Sequence, residues 1–429
     1  MHAVPDRKAP ANGYVVTEAL PSRPADHSPA RQGGHRLPPV LSSDADEPPK
    51  ARTATARRRR PTARVLVGVL GGVAVIAGLA VAQVSANLGY DAAQARVDAA
   101  LRTYDAQRGE VDHRYAALLE STDAGHVILD TGYAALPVPE DAWAALTTAV
   151  ADGEGIGAEV EKVTALAPPA AQDKPAWFWE LFGATSDREA DEERVDDLVD
   201  DLKAASTDAA EGRSAVIDSG VAVVATAGAD AASFEAAHPS ARNDAVIALR
   251  DAAADAAAVT VVDDTTATAY VALQAAATQV LTTEAAELAE KAGPLQRARL
   301  EVEAFARSLA PGVLLEFDWA PTVNGAGANG SMGGYTTWWW DQPGRAIIQL
   351  SDSVAQQWPA ERSRALVAHE VGHAISVKCV GMYDSSTQDS IEKWATAWAI
   401  SMGFTDDANG VWAYGYPPQN YIDAAAGCR

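Results

Sequence analysis

Cysteine is nearly absent from this chain: two occur in 429 residues, Cys379 and Cys428. One intrachain disulfide is therefore the most that can form. Aromatic residues are scarce at 7%. Basic residues are scarce too once the first 64 positions are passed. That head carries 12 Lys and Arg against 6 Asp and Glu, whereas the remainder carries 22 against 52. A body this acidic repels phosphate backbones, which argues against nucleic acid as a partner. No fixed repeat period runs along the chain, and no histidine follows His373.

Alanine is plentiful, and there is one unbroken apolar run. Val65 to Ala82 reads VLVGVLGGVAVIAGLAVA, 18 residues without a polar side chain. As a helix it spans roughly 27 Å at about 1.5 Å per residue, close to the hydrocarbon thickness of a bilayer. Arg57, Arg58, Arg59, Arg60 and Arg64 stand before it. The positive-inside rule then keeps the N-terminus cytoplasmic and exports the chain beyond the run. The expectation is a single-pass signal anchor over residues 65–84, with the protein at the cell membrane. Ala80-Val81-Ala82 also fits a signal-peptidase site, so cleavage is the rival outcome. Residues 1–64, rich in Pro, Ser, Arg and Asp, bury too little to offset their ordering entropy and read as a disordered cytoplasmic tail. Cys379 and Cys428 both fall in the exported part, where a lone pair is most simply a disulfide. A loop of that length stabilises by roughly 3–4 kcal/mol when unstrained.

Residues 90–310 read as Ala-rich, acidic helices. Val97, Leu101, Tyr104, Val111, Tyr115 and Leu118 recur at helical spacing, as do Leu288, Leu295, Leu300, Val302, Phe305 and Leu309. Between these stretches lie a Pro-rich break (167–175), the cluster Trp177-Phe178-Trp179 and an acidic helix over 187–202. The expected fold is mainly α: an antiparallel helical stalk or bundle after one transmembrane helix, then a C-terminal α+β domain over 311–429. There, 313–319, 335–340 and 345–351 read as strands, and the Gly-rich stretch 326–334 as a mere connection. Helices are expected over 360–378 and 388–402.

The first of these helices carries His369-Glu370-Val371-Gly372-His373. Positions i and i+4 of a helix lie one above the other, so two imidazoles face one metal ion, and Glu370 can reach a water held on it. Leu366, Val367, Ala368, Val371, Ala374 and Ile375 make the surroundings those of a buried helix. Gly372 is a poor helix former and belongs where a second backbone comes close. Three non-histidine residues can complete a zinc site: Cys379, Asp384 and Glu392. Cys379 lies six residues after His373, where metzincins carry a histidine, but Ser376 replaces their glycine. Asp384, eleven residues on, has the aspzincin spacing without its glycine-threonine approach.

Glu392 falls on the next helix, IEKWATAWAIS, where Ala395 and Ala399 permit close packing. That layout resembles the gluzincins, the thermolysin-like zincin metallopeptidases, over about residues 311–429. The resemblance implies a zinc peptidase with Zn2+ on His369, His373 and Glu392, Glu370 as general base, and a peptide or protein as substrate. It departs at Thr396, where thermolysin-like enzymes usually have an aspartate orienting a metal-bound histidine. Tyr414, Tyr416 and Tyr421 are the candidates for stabilising an oxyanion, and the strand 346–351 is the expected edge for pairing an extended substrate. The alternative is a cell-envelope scaffold protein whose zinc site lacks turnover.

Overall fold

The computed structural model describes residues 63–429, with side chains from Gly71 onward. The expected tail lies outside the described residues, apart from Ala63 and Arg64, which open the first helix. The chain is mostly helical with one small mixed sheet. Helix α1 (Ala63–Thr131) is followed by α2 (Glu140–Thr164), α3 (Phe178–Ala237), α4 (Asn243–Ala257), α5 (Asp264–Glu290) and α6 (Gln296–Leu309). The C-terminal part contains β1 (Leu314–Ala320), β2 (Gly334–Trp338), β3 (Arg345–Ser351), α7 (Asp352–Gln356), α8 (Glu361–Ser376), α9 (Gln388–Ser401), α10 (Val411–Tyr414) and α11 (Gln419–Ala425).

No residue from Gly71 to Val81 is covered by the rest of the protein. From Ala86 onward α1 buries Tyr90, Ala93, Val97, Ala100 and Tyr104, spaced by four and three residues, and then Val111 and Leu118 at steps of seven. The apolar run thus ends where bundle packing begins. Helix α2 returns antiparallel to α1: Tyr104 bonds Leu166 O, Tyr115 bonds Glu161, and His126 bonds Glu154. Helix α3 runs parallel to α1, with Gln83 bonded to Phe178 and Arg96 to Glu189 and Glu192. The acidic segment expected over 187–202 is thus part of one 60-residue helix. The helical stretch expected from Thr283 to Leu309 is instead broken, because α5 stops at Glu290 and α6 starts at Gln296. Among the described residues, two helices are apolar and long enough, by length and composition, to cross a membrane: α1 over Gly71–Thr131 and α3. The apolar window of α3 is 39% buried and that of α1 only 6%.

The sheet has the order β1-β3-β2, with β1 parallel and β2 antiparallel to β3. Its apolar face packs on α6 and α8. Val302, Ala306 and Ala310 belong to this core, which thus takes in a helix upstream of residue 311. Buried charges join the two regions: Lys291 Nζ lies 3.1 Å from both Glu287 and Glu303. Trp319 Nε1 donates to Glu303 at 3.0 Å, and Asn243 Nδ2 to Ala346 O at 3.0 Å. Cys379 and Cys428 form a disulfide, with Cα atoms 6.1 Å apart, tying the end of the motif helix to the C-terminus.

Candidate metal centre

Helix α8 is buried along its second half, so both imidazoles of the motif are withdrawn from solvent. They sit one turn apart, edge to face, with ring centroids 4.8 Å apart. Helix α9 crosses closely at Gly372: a Cβ there would lie 2.8 Å from Ala395 O, so only glycine admits this approach. Glu392 is thereby carried across. Its Oε2 lies 3.2 Å from His369 Nε2 and 3.1 Å from His373 Nε2. The three ligand atoms fall within 4.8 Å of one another, and among the described residues this is the group suited to hold a metal ion.

The surroundings orient each donor. Thr396 Oγ1 donates to Glu392 O at 2.9 Å, which uses its one hydrogen. The same oxygen lies 3.3 Å from His369 Nδ1 and so accepts that nitrogen's proton. The Nε2 lone pair is then left facing Glu392. A threonine hydroxyl therefore stands where the thermolysin-like pattern has a carboxylate. Gly410 closes over this pair with φ of 105°, and a Cβ there would meet Thr396 Oγ1 at 2.3 Å and His369 Nδ1 at 2.6 Å. Gln388 donates to the other oxygen of Glu392 at 2.7 Å. Trp338 stacks on His373 at 5.4 Å, and Tyr414 stacks on His369 at 5.9 Å. Burial works against ionisation of Glu392, but the adjacent His369 and His373 rings outweigh it and hold the carboxyl well below the usual range.

Glu370 is buried beside this group and points under β2. Thr336 Oγ1 donates to its Oε2 at 2.7 Å. A Cβ on Gly334 would lie 2.3 Å from its Oε1, so the carboxylate occupies the space any larger residue would need. Burial pushes the Glu370 carboxyl up, opposed by His369 and by the Thr336 hydrogen bond. The phenol of Tyr414 is pushed up to about 12 by burial and by the nearby Glu392 and Glu370. A cavity of about 550 Å³ opens over His369, Glu370, His373 and Glu392, with β2 along one wall. A second, of about 370 Å³, shares His369, Glu370 and Tyr414 and is lined by Met332, Leu366 and Trp412.

Asp384 stands apart from the group. It is exposed, and its carboxylate accepts from Ser386 N and Oγ at 3.0 and 2.6 Å, which holds it below the usual range. Cys379 is committed to its disulfide. Of the three tyrosines only Tyr414 lines the cavity: Tyr416 is exposed, while Tyr421 bonds Ser390 at 2.7 Å and packs on Trp394. Two expectations need correction. The strand 346–351 is β3, the centre of the sheet, with its backbone groups paired on both sides; the edge facing the cavity is β2. The Gly-rich stretch is more than a connection, because Gly334 begins β2 and backs onto Glu370. Sequence reasoning also missed Thr336, Trp338 and Gly410. Their nearest sequence signal was the tight Asn409-Gly410 pair and the aromatic run of β2. No family model, curated protein or solved structure matches the chain.

Proposed function

We propose that this chain is a membrane-anchored zinc metallopeptidase acting outside the cytoplasm. The observation that carries the reading is the convergence of His369, His373 and Glu392 within 4.8 Å beside the buried Glu370. The donor set fits zinc: two imidazole nitrogens and one carboxylate oxygen are the ligands of a catalytic site that leaves one position open. Metal–ligand distances of about 2.0–2.1 Å place tetrahedral donors about 3.3 Å apart, and the two spacings from the imidazoles to Glu392 Oε2 are 3.2 and 3.1 Å.

A zinc ion held there supplies a polarised water whose pKa falls towards neutrality. The chain's own groups do the rest. Glu370 takes a proton at its carboxylate and returns it to the departing amine, with Thr336 fixing one of its oxygens. Tyr414, neutral at physiological pH, offers a phenolic proton to the oxyanion. The outer edge of β2 pairs with an extended peptide by backbone hydrogen bonds, which gives length preference without strict sequence selection. Anchoring through residues 65–84, with the N-terminus cytoplasmic, is supported by the uncovered apolar start of α1, whereas the apolar part of α3 is better explained as bundle core.

The test is zinc content and hydrolysis of a quenched fluorescent peptide library by the full-length protein in detergent. One zinc per chain, with turnover abolished by chelation and by Glu370→Gln, is the expected result. Zinc bound with no turnover in the wild type would instead favour the scaffold alternative.

A further inference from the structure

Gln83 is the first polar side chain after the apolar run, and it holds the start of α3 in place. Its Nε2 donates to Ala176 O at 3.0 Å, and its Oε1 accepts from Phe178 N at 2.9 Å. Phe178 turns inward against the small core of Ala86, Tyr90 and Leu181. Its neighbours turn outward: Trp177, Trp179 and Phe182 are 57%, 58% and 55% exposed. Their arrangement is ordered, with the two indoles stacked 5.2 Å apart and nearly parallel, and Phe178 edged against Trp179 and Phe182. Three large apolar side chains presented to one side mark a contact surface.

Position identifies the occupant. This patch lies beside Gln83, the residue at which the uncovered apolar stretch of α1 ends. Tryptophan concentrates at the headgroup level of bilayers, where its ring meets apolar chains and its N–H meets water. Lys174, three residues before Trp177, is engaged by Asp91 at 2.7 Å.

We infer that Trp177, Trp179 and Phe182 are a second membrane contact, a wedge seated in the interfacial layer of the bilayer that α1 crosses. The inference rests on the anchored reading of residues 65–84. With two contacts, from different helices pinned together by Gln83, the bundle cannot pivot freely about one span, and its height above the bilayer is set.

The experiment uses full-length protein in nanodiscs containing phosphatidylcholine brominated either just below the headgroup or near the chain ends. Shallow bromines should quench wild-type tryptophan emission more than deep ones. The Trp177→Phe/Trp179→Phe double variant should lose that quenching, a change limited to about the share of two among the chain's eleven tryptophans. The others do not compete: Trp143 packs on Tyr133 beyond the far end of α1, and eight lie from Trp319 onward. Retention in the nanodisc without shallow quenching of the wild type overturns the wedge alone. Protein that leaves the lipid under alkaline wash overturns the anchor and the wedge with it.

Discussion

Glu370 and Glu392 are both withdrawn from water, one helix apart, yet their surroundings drive them in opposite directions. Glu392 has two imidazole nitrogens within 3.2 Å of one oxygen, whereas Glu370 receives a hydrogen bond from a hydroxyl and is dominated by burial. That difference assigns roles: the first is a permanent anion suited to holding a cation, the second a carboxylate that can accept and release a proton. Glu392→Ala should therefore lose zinc and activity together, measured by metal analysis of the purified protein. Glu370→Gln should keep its zinc while turnover falls by about 10²–10⁴-fold, the usual worth of a positioned base. Thr396 is separable from both. Thr396→Val keeps the volume but leaves His369 Nδ1 without its acceptor, so zinc affinity should weaken by about 10–100-fold with little change in thermal stability of the apo protein. Competition with a chelator of known affinity measures this, and unchanged affinity would show that Thr396 does not orient the ligand.

At the scale of elements, the legible parts were those in which chemistry is local. His369 and His373 face the same way because a helix repeats every 3.6 residues, and Gly372 beside Ala395 signalled the close crossing that carries Glu392 over. Strand order is not local. Nothing in the run Arg345 to Ser351 distinguishes a central strand from an edge, since both read as alternating apolar residues and the answer depends on where β1 and β2 land. Thr336, Trp338 and Gly334 were invisible for the same reason: they meet Glu370 and His373 across more than thirty residues of chain, through packing of β2 on α8. The break between α5 and α6 likewise serves a tertiary contact. It places Lys291 between Glu287 and Glu303, all three almost fully buried. Removing this cation leaves Glu287 with only Arg242 and Glu303 with only Arg307 as counter-charges, so Lys291→Met should cost about 1–3 kcal/mol, less than the roughly 3–5 kcal/mol of a buried pair stripped of its partner. Thermal or urea unfolding of the full-length protein checks it, and a loss below about 1 kcal/mol would mean that the cluster is better hydrated than its burial implies.

For the whole molecule, the decisive feature is the transition within α1 from an uncovered apolar stretch to a packed heptad-like stripe. Val73, Val75, Ile76, Leu79 and Val81 are each at least half exposed, while Ala86, Tyr90 and Ala93 are buried a turn or two later. Such a continuous exposed apolar surface is what supports the anchored reading proposed above. From Gln83 to Thr131 the same helix extends roughly 72 Å at about 1.5 Å per residue. The β-sheet and metal centre pack against α4 and α6 at the end of the bundle away from Gln83. On the anchored reading proposed above, the bundle would act as a spacer that holds the candidate metal centre away from the membrane. The expectation is that the protein stays with membranes after alkaline extraction, and that protease added outside intact cells removes the C-terminal domain while an epitope in residues 1–64 survives. The competing outcome is specific: cleavage after Ala82 would release a soluble chain whose N-terminal residue is Gln83. N-terminal sequencing of the mature protein decides between them.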